Sequence, residues 1–229
     1  MRATAALLAV LAVGAAPLVR GTPALHAQSQ PKPQDGRAVI GRSASVYRSL
    51  RSLRADFVQV IDNPMLDSAT SRGTLVQSGE ARFAMRFTDP PGEAIVVDGE
   101  HIWIYTPSTT PGQVIRMPIP SGGPVYGYNI LAWLLDRPSE RYTSTLLRSE
   151  RVDGRTADVV ELIPTVSDLP FDRAVIWLDR EDGLPRHLEI QEKSGGKRML
   201  TLSKLRTNAS IPDKTFKLDL PAGTHIVDQ

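Results

Sequence analysis

Residues 81–107, ARFAMRFTDPPGEAIVVDGEHIWIYTP, decide how this chain is read, because they spell three antiparallel strands separated by two tight turns. Phe83, Met85 and Phe87 alternate with Arg82, Ala84 and Arg86, the period of two that gives a strand one apolar face. Asp98-Gly99 fits a two-residue type I′ turn, which needs positive φ at both central positions. In that register Val97 pairs with Glu100, Ile95 lies opposite Ile102, and Ala94 faces Trp103. Both faces of the hairpin then carry bulky apolar groups, which rules out a pair of strands lying on a solvated surface.

Working outward, residues 57–61, 73–77 and 113–117 read as further strands of an N-terminal set, with Ser78-Gly79 as a hairpin turn. Residues 142–151, 156–163, 173–178, 185–191 and 198–205 form a second set, joined through Asp153-Gly154, Asp182-Gly183 and Gly195-Gly196. Consecutive hairpins make one large meander, and a sheet of about ten or more strands must curl or split. The expected fold is mainly β: a single curved antiparallel sheet forming an incomplete, unclosed barrel, with helices on its concave side. From Ser43, read as an N-cap, Val46, Leu50, Leu53 and Phe57 recur at helical spacing, predicting an amphipathic helix over residues 43–55. Arg48, Arg51 and Arg54 would form a ridge on its polar side, either a solvated face or a docking patch for anionic headgroups or a membrane partner.

The meander is broken once. Asn129 can cap a short helix whose body, residues 130–135, is apolar all round and must be covered on every side. It is either a plug completing the core or a lid over a cavity, with Leu131, Trp133 and Leu134 facing a lipid and Gly122, Gly123 and Gly127 supplying flexible connections.

The N-terminus has the layout of a secretory signal: Met1-Arg2, an apolar run over residues 3–19 interrupted by Pro17, then small residues. Cleavage is expected after Ala27, with Ala24 as a competing site, so residues 1–27 leave and residues 28–41 form a flexible lead-in to a domain over residues 42–229. The run falls short of the roughly twenty apolar residues that span a bilayer. The chain has 229 residues, no cysteine and a formal net charge of +2. Absence of cysteine excludes disulfides, thiolate metal sites and a lipid-anchored cysteine. Arg2 and Arg20 lie in the signal, so the exported chain is close to neutral, and its arginines are interleaved with acids; neither suits nucleic acid.

No catalytic constellation emerges. His101 shares a hairpin face with Trp103 and Tyr105, and His187 and His225 lack metal-like spacing. There is no GxSxG elbow or HExxH helix. Ser194-Gly195-Gly196-Lys197 lacks the spaced glycine and trailing Ser/Thr of a phosphate loop. No metal and no cofactor is expected.

The ordered set Phe83 to Tyr105, with its Pro turn and I-V-x-DG-x-x-I-W-x-Y pattern, resembles the LolA family of periplasmic lipoprotein carriers. The resemblance extends to Leu53-Arg54-Ala55-Asp56-Phe57-Val58-Gln59, to Gly73-Thr74-Leu75, and to Phe216-Lys217-Leu218 with Pro221-Ala222-Gly223. It implies a monomeric periplasmic chaperone, not an enzyme, that holds the acyl chains of lipoproteins in an apolar cavity. Cargo would come from an inner-membrane ABC-type exporter and go to an outer-membrane receptor or the outer membrane itself. Phe83 and Met85 fall on the family's aromatic cavity positions, Met85 in place of a tryptophan. The expected lipid-binding wall is Phe83, Met85 and Phe87 on one strand, Ile95, Ile102 and Ile104 on the hairpin, and Leu131, Trp133 and Leu134 on the lid. If the hairpin faces are reversed, Ala94, Val96, Trp103 and Tyr105 line it instead. One departure stands out: Ser78-Gly79-Glu80 replaces the family's Lys/Arg-Arg-Pro, whose arginine helps hold the lid closed. Rival readings are a periplasmic sensing module of the same fold, an envelope enzyme acting on lipid or glycan, and a structural β-domain filled by its own side chains.

Overall fold

A computed structural model describes residues 34–65, 67–119, 129–167 and 169–229. The signal, residues 28–33 of the expected lead-in and the glycines before Asn129 lie outside the described residues. In chain order the elements are β1 (Gln34–Asp35), α1 (Arg37–Ser49), β2 (Ser52–Asp62), β3 (Ala69–Ser78), β4 (Arg82–Asp89), β5 (Pro91–Val97), β6 (His101–Tyr105) and β7 (Gln113–Pro118). There follow α2 (Ile130–Leu135), α3 (Pro138–Arg141), β8 (Tyr142–Val152), β9 (Arg155–Pro164), β10 (Phe171–Asp179), β11 (Pro185–Glu192), β12 (Lys197–Thr207), a 3₁₀ turn (Asp213–Phe216) and β13 (His225–Asp228).

All thirteen strands belong to one sheet in the order β1-β8-β9-β10-β11-β12-β2-β3-β4-β5-β6-β7-β13. The fold is mainly β and the sheet is not closed: β1 and β13 are its two edges. Every pairing is antiparallel except β13 on β7, which is parallel. The two sets of hairpins read from the sequence are joined where β12 pairs with β2.

Cross-strand register aligns the inner face into rows. Ala55, Leu75, Met85, Ile95, Ile104 and Ile115 stand opposite one another from β2 to β7, and so do Leu53, Gln77, Phe83, Val97, Ile102 and Met117. With one polar exception, Gln77, these rows are apolar, and α1 and α2 pack on them in the main core through Ile40, Tyr47, Leu131, Leu134 and Leu135. Gly73 marks a register shift between β3 and β4. A Cβ there would stand 2.0 Å from the Arg86 carbonyl oxygen, so only glycine allows the two backbones to approach this closely.

Two local expectations are corrected. The first helix spans Arg37–Ser49, with Gly36 rather than Ser43 at its N-cap, and Ser43 is buried inside it. Leu50 is already extended, and residues 53–57 form a strand whose Leu53, Ala55 and Phe57 point to the core. The spacing of Leu53 and Phe57 satisfies both periods; pairing of β2 with β12 on one side and β3 on the other decides for the strand. The arginine ridge therefore does not exist: Arg48 is on α1, Arg51 in the connection and Arg54 on β2, all exposed.

The second correction concerns the hairpin. Val97 pairs with Ile102, Ile95 with Ile104 and Val96 with Trp103. Among the turn residues only Gly99 has positive φ. Asp98 instead closes a longer turn with its side chain, Oδ1 accepting the N–H groups of Glu100 and His101 at 2.8 and 2.7 Å, while Oδ2 accepts Trp103 Nε1–H at 2.7 Å. Sliding each partner by two residues preserves the alternation, so the face assignment is unaffected.

Candidate functional site

The site is built where α2 lies on the concave face. Its six residues, ILAWLL, have no polar side, so the helix needs burial on every side, and Ile130, Leu131, Ala132, Leu134 and Leu135 are all buried. Asn129 starts it by accepting the Ala132 N–H on Oδ1 at 3.2 Å. Trp133 is half-buried, its ring 6.1 Å from Phe171, and Tyr142 donates its hydroxyl to the Trp133 carbonyl at 2.8 Å.

The structure brings all nine apolar residues expected at the wall into the main core. Phe83, Met85, Ile102, Leu131 and Leu134 are buried there, and Phe87, Ile95, Ile104 and Trp133 pack against them partly exposed. Phe87 meets Phe57 edge-on at 5.2 Å. The opposite hairpin face is covered separately: Val76, Ala84, Ala94, Val96 and Phe216 form their own cluster, with Trp103, Ile211 and Leu218 around it. The segment through Phe216 is strapped to the outer face, with Arg82 over the Phe216 ring and Arg86 donating to the carbonyls of Thr215 and Lys217. The inner hairpin face is thus the one that carries Ile95, Ile102 and Ile104.

Beside α2 a cavity of about 140 Å³ opens between α1 and the β3–β4 turn. Leu50, Ala132 and Leu135 form its apolar lining, and Arg48, Glu80 and Asp136 its charged rim. Of the three arginines once expected to act together, only Arg48 reaches it.

The inner end of this cavity carries a buried polar group that sequence reasoning found only in part, through Asn129. Tyr47 on α1 donates its hydroxyl to Gln77 Oε1 on β3. Asn129 Nδ2 donates to the same oxygen at 3.0 Å and lies 3.3 Å from the Tyr47 hydroxyl. Gln77 Nε2 in turn donates to the Gly79 carbonyl at 3.0 Å. Burial, reinforced by the charge of Glu80 and only partly offset by the hydrogen bonds of Asn129 and Gln77, pushes the Tyr47 phenol far above its usual range, so it stays a neutral donor. Tyr47 and Gln77 lie 30 residues apart in sequence and look unremarkable there; the one available signal was Gln77 at an inward position of a strand otherwise apolar on that face.

The other polar clusters are fastenings. Partial burial raises the Asp98 pKa, but the N–H groups of His101 and Glu100 and the Trp103 indole outweigh it, leaving the carboxyl below its usual range. Asp179 is likewise desolvated, yet Arg155, the N–H groups of Glu181 and Asp182, and Arg186 hold it ionised. His101 meets Trp103 edge-on at 6.0 Å, and His187 bonds Thr201 through Nδ1 at 2.9 Å beside Trp177. Among the described residues no group of three metal-binding side chains converges.

Comparison with known proteins gives a consistent picture. The model of a family described as "Outer membrane lipoprotein carrier protein LolA" matches residues 48–219. An outer-membrane lipoprotein carrier protein of Dechloromonas aromatica is 26% identical over 183 residues, which span 80% of this chain and 84% of that protein. One from Nitrosospira multiformis is 25% identical over 191 residues, spanning 83% and 88%. Among solved structures, an uncharacterized conserved protein from Thermus thermophilus shares the fold with a TM-score of 0.54 at 12% identity, covering 86% of this chain and all of that one.

Proposed function

Because this chain belongs to the LolA family of outer membrane lipoprotein carrier proteins, we propose that it is a periplasmic carrier that shelters lipoprotein acyl chains in the apolar interior beneath α2. It takes them from the inner membrane and delivers them to the outer membrane. The observation that carries this reading is α2 itself: a helix with no polar side, laid on an apolar sheet face and joined to it by few polar contacts, the Tyr47–Gln77–Asn129 cluster and the Tyr142 hydroxyl on the Trp133 carbonyl.

The physical need is large. Each methylene withdrawn from water is worth about 0.8 kcal/mol, so a multiply acylated protein cannot cross an aqueous space unaided. The sheet face beneath α2 is covered by buried side chains, and the cavity beside α2 measures about 140 Å³. Loading therefore requires α2 to move off the sheet, so that acyl chains replace Leu131, Trp133 and Leu134 against Phe83, Met85, Phe87, Ile95, Ile102 and Ile104. One apolar contact is exchanged for another, which keeps the net affinity low enough for release. Binding and release are the whole of the activity; no covalent step is needed. Cargo would arrive from an ABC-type exporter in the inner membrane and leave to an outer-membrane receptor or the outer membrane itself, with the carrier acting as a monomer.

The test is native mass spectrometry of the exported protein mixed with a triacylated lipoprotein. A soluble one-to-one complex that protects the acyl chains is the expected result. No association, with the protein folded, would refute the carrier reading.

A further inference from the structure

We propose that Tyr47, Gln77 and Asn129 form a latch that sets how readily α2 leaves the sheet. The inference rests on the reading of α2 as a lid.

Three observations carry it. First, Gln77 is 7% exposed and occupies an inward position in a row otherwise made of Leu53, Phe83, Val97, Ile102 and Met117. An aliphatic side chain would fit the row better, so the amide is held there by what it binds. Second, its two functions face different ways. Oε1 gathers the hydroxyl of α1 and the amide of the residue that caps α2, while Nε2 anchors the group to the β3–β4 turn through the Gly79 carbonyl. One side chain thus ties both concave-side helices to one strand. Third, the cavity beside α2 reaches all three residues. It has room for several waters, so solvent can satisfy Gln77 and Asn129 once they part. Separation then costs a few hydrogen bonds exchanged for water, not a set of orphaned buried polar groups. Apart from the Tyr142 hydroxyl on the Trp133 carbonyl, the remaining contacts described for α2 are apolar and non-directional, and acyl chains can replace them. The polar group is the part of the interface that cargo methylenes cannot imitate, so it sets the closed position.

Asn129→Ser tests this cleanly. Serine keeps an oxygen to cap the Ala132 N–H but has no amide to donate to Gln77. Tyr47→Phe removes the second donor and keeps the ring. Hydrogen exchange of the backbone amides of residues 130–135 should quicken roughly threefold to tenfold in each variant, the factor expected for one net hydrogen bond. Exchange in β9 and β10 should stay at the wild-type rate. Val175→Ala, in the separate outer-face cluster, serves as a control for general destabilisation. Uptake of a fluorescent fatty-acid analogue should accelerate in both latch variants and not in the control. Exchange in α2 at the wild-type rate in both variants, or acceleration spread equally over α2 and the strands, would overturn the latch. Failure of the wild type to bind lipoprotein would instead remove the carrier reading, and the exchange data would still report whether the group holds α2.

Discussion

Replacing Ile104 by glutamate puts a charge on the wall without emptying the core. Ile104 stands between Ile95 and Ile115 across β5, β6 and β7, and it is only half-buried, so a carboxylate there keeps contact with water while α2 is closed. Acyl chains lying on the wall would take that water away. Losing the isoleucine contact forfeits about 1.5–3 kcal/mol, and dehydrating the carboxylate adds several kcal/mol unless it takes up a proton. A total of at least about 3 kcal/mol corresponds to a fall in affinity of more than about 100-fold. Titration with a fluorescent fatty-acid analogue at pH 7 reads it directly. Ile104→Gln, which lacks the charge, should fall between the glutamate variant and the wild type. Val58→Glu, at a position on β2 that is 39% exposed, should bind as the wild type does. The deficit also has a pH signature: desolvation raises the carboxyl pKa in the loaded state above its usual value near 4.3, so affinity should recover as the pH is lowered. A folded Ile104→Glu protein that binds within threefold of the wild type at pH 7 would refute the placement of this wall.

The outer face gives the converse expectation. Phe216→Ala empties the cluster under the strap, which should cost about 3–5 kcal/mol in urea unfolding while leaving acyl affinity intact; a loss of affinity out of proportion to the unfolded fraction would contradict the separation of the two faces. At the far end of the sheet, Asp179→Ala should lower the urea midpoint at neutral pH. Because the folded-state pKa of Asp179 lies below its unfolded value, its stabilisation is complete above the unfolded value near 3.9 and disappears as the pH falls through the folded one. Wild-type and variant midpoints should therefore converge on acidification, and a constant gap would show that the carboxylate charge is not what matters.

The meander was legible because several of its turns are written locally: Ser-Gly, Asp-Gly or Gly-Gly between runs of alternating apolar residues. Which hairpin residues share a face was legible too, since a slip by two residues preserves alternation even when the pairing is misjudged; which face turns inward was not, because both are apolar. The boundary between α1 and β2 was not, because Leu53 and Phe57 fit both periods and only the neighbouring strands choose between them. Nor was the outer-face cover legible: Phe216 reaches the sheet through contacts with Arg82 and Arg86, far earlier in the chain. At the site itself, the apolar residues announced themselves by pattern, whereas Tyr47 and Gln77 gain meaning only from meeting Asn129.

An open sheet leaves two strands with a free rim, and among the described residues those are the shortest: two residues in β1 and four in β13. Unpaired rims recruit further strands and seed fibrils. β13 is pinned over β7 by a two-pronged ion pair from Arg116 to Asp228, at 2.6 and 2.9 Å. Its own rim is too brief, and too well supplied with exposed polar ends, to template another chain. An incomplete barrel whose rims are this brief keeps its sheet unclosed without offering a long template to a second copy.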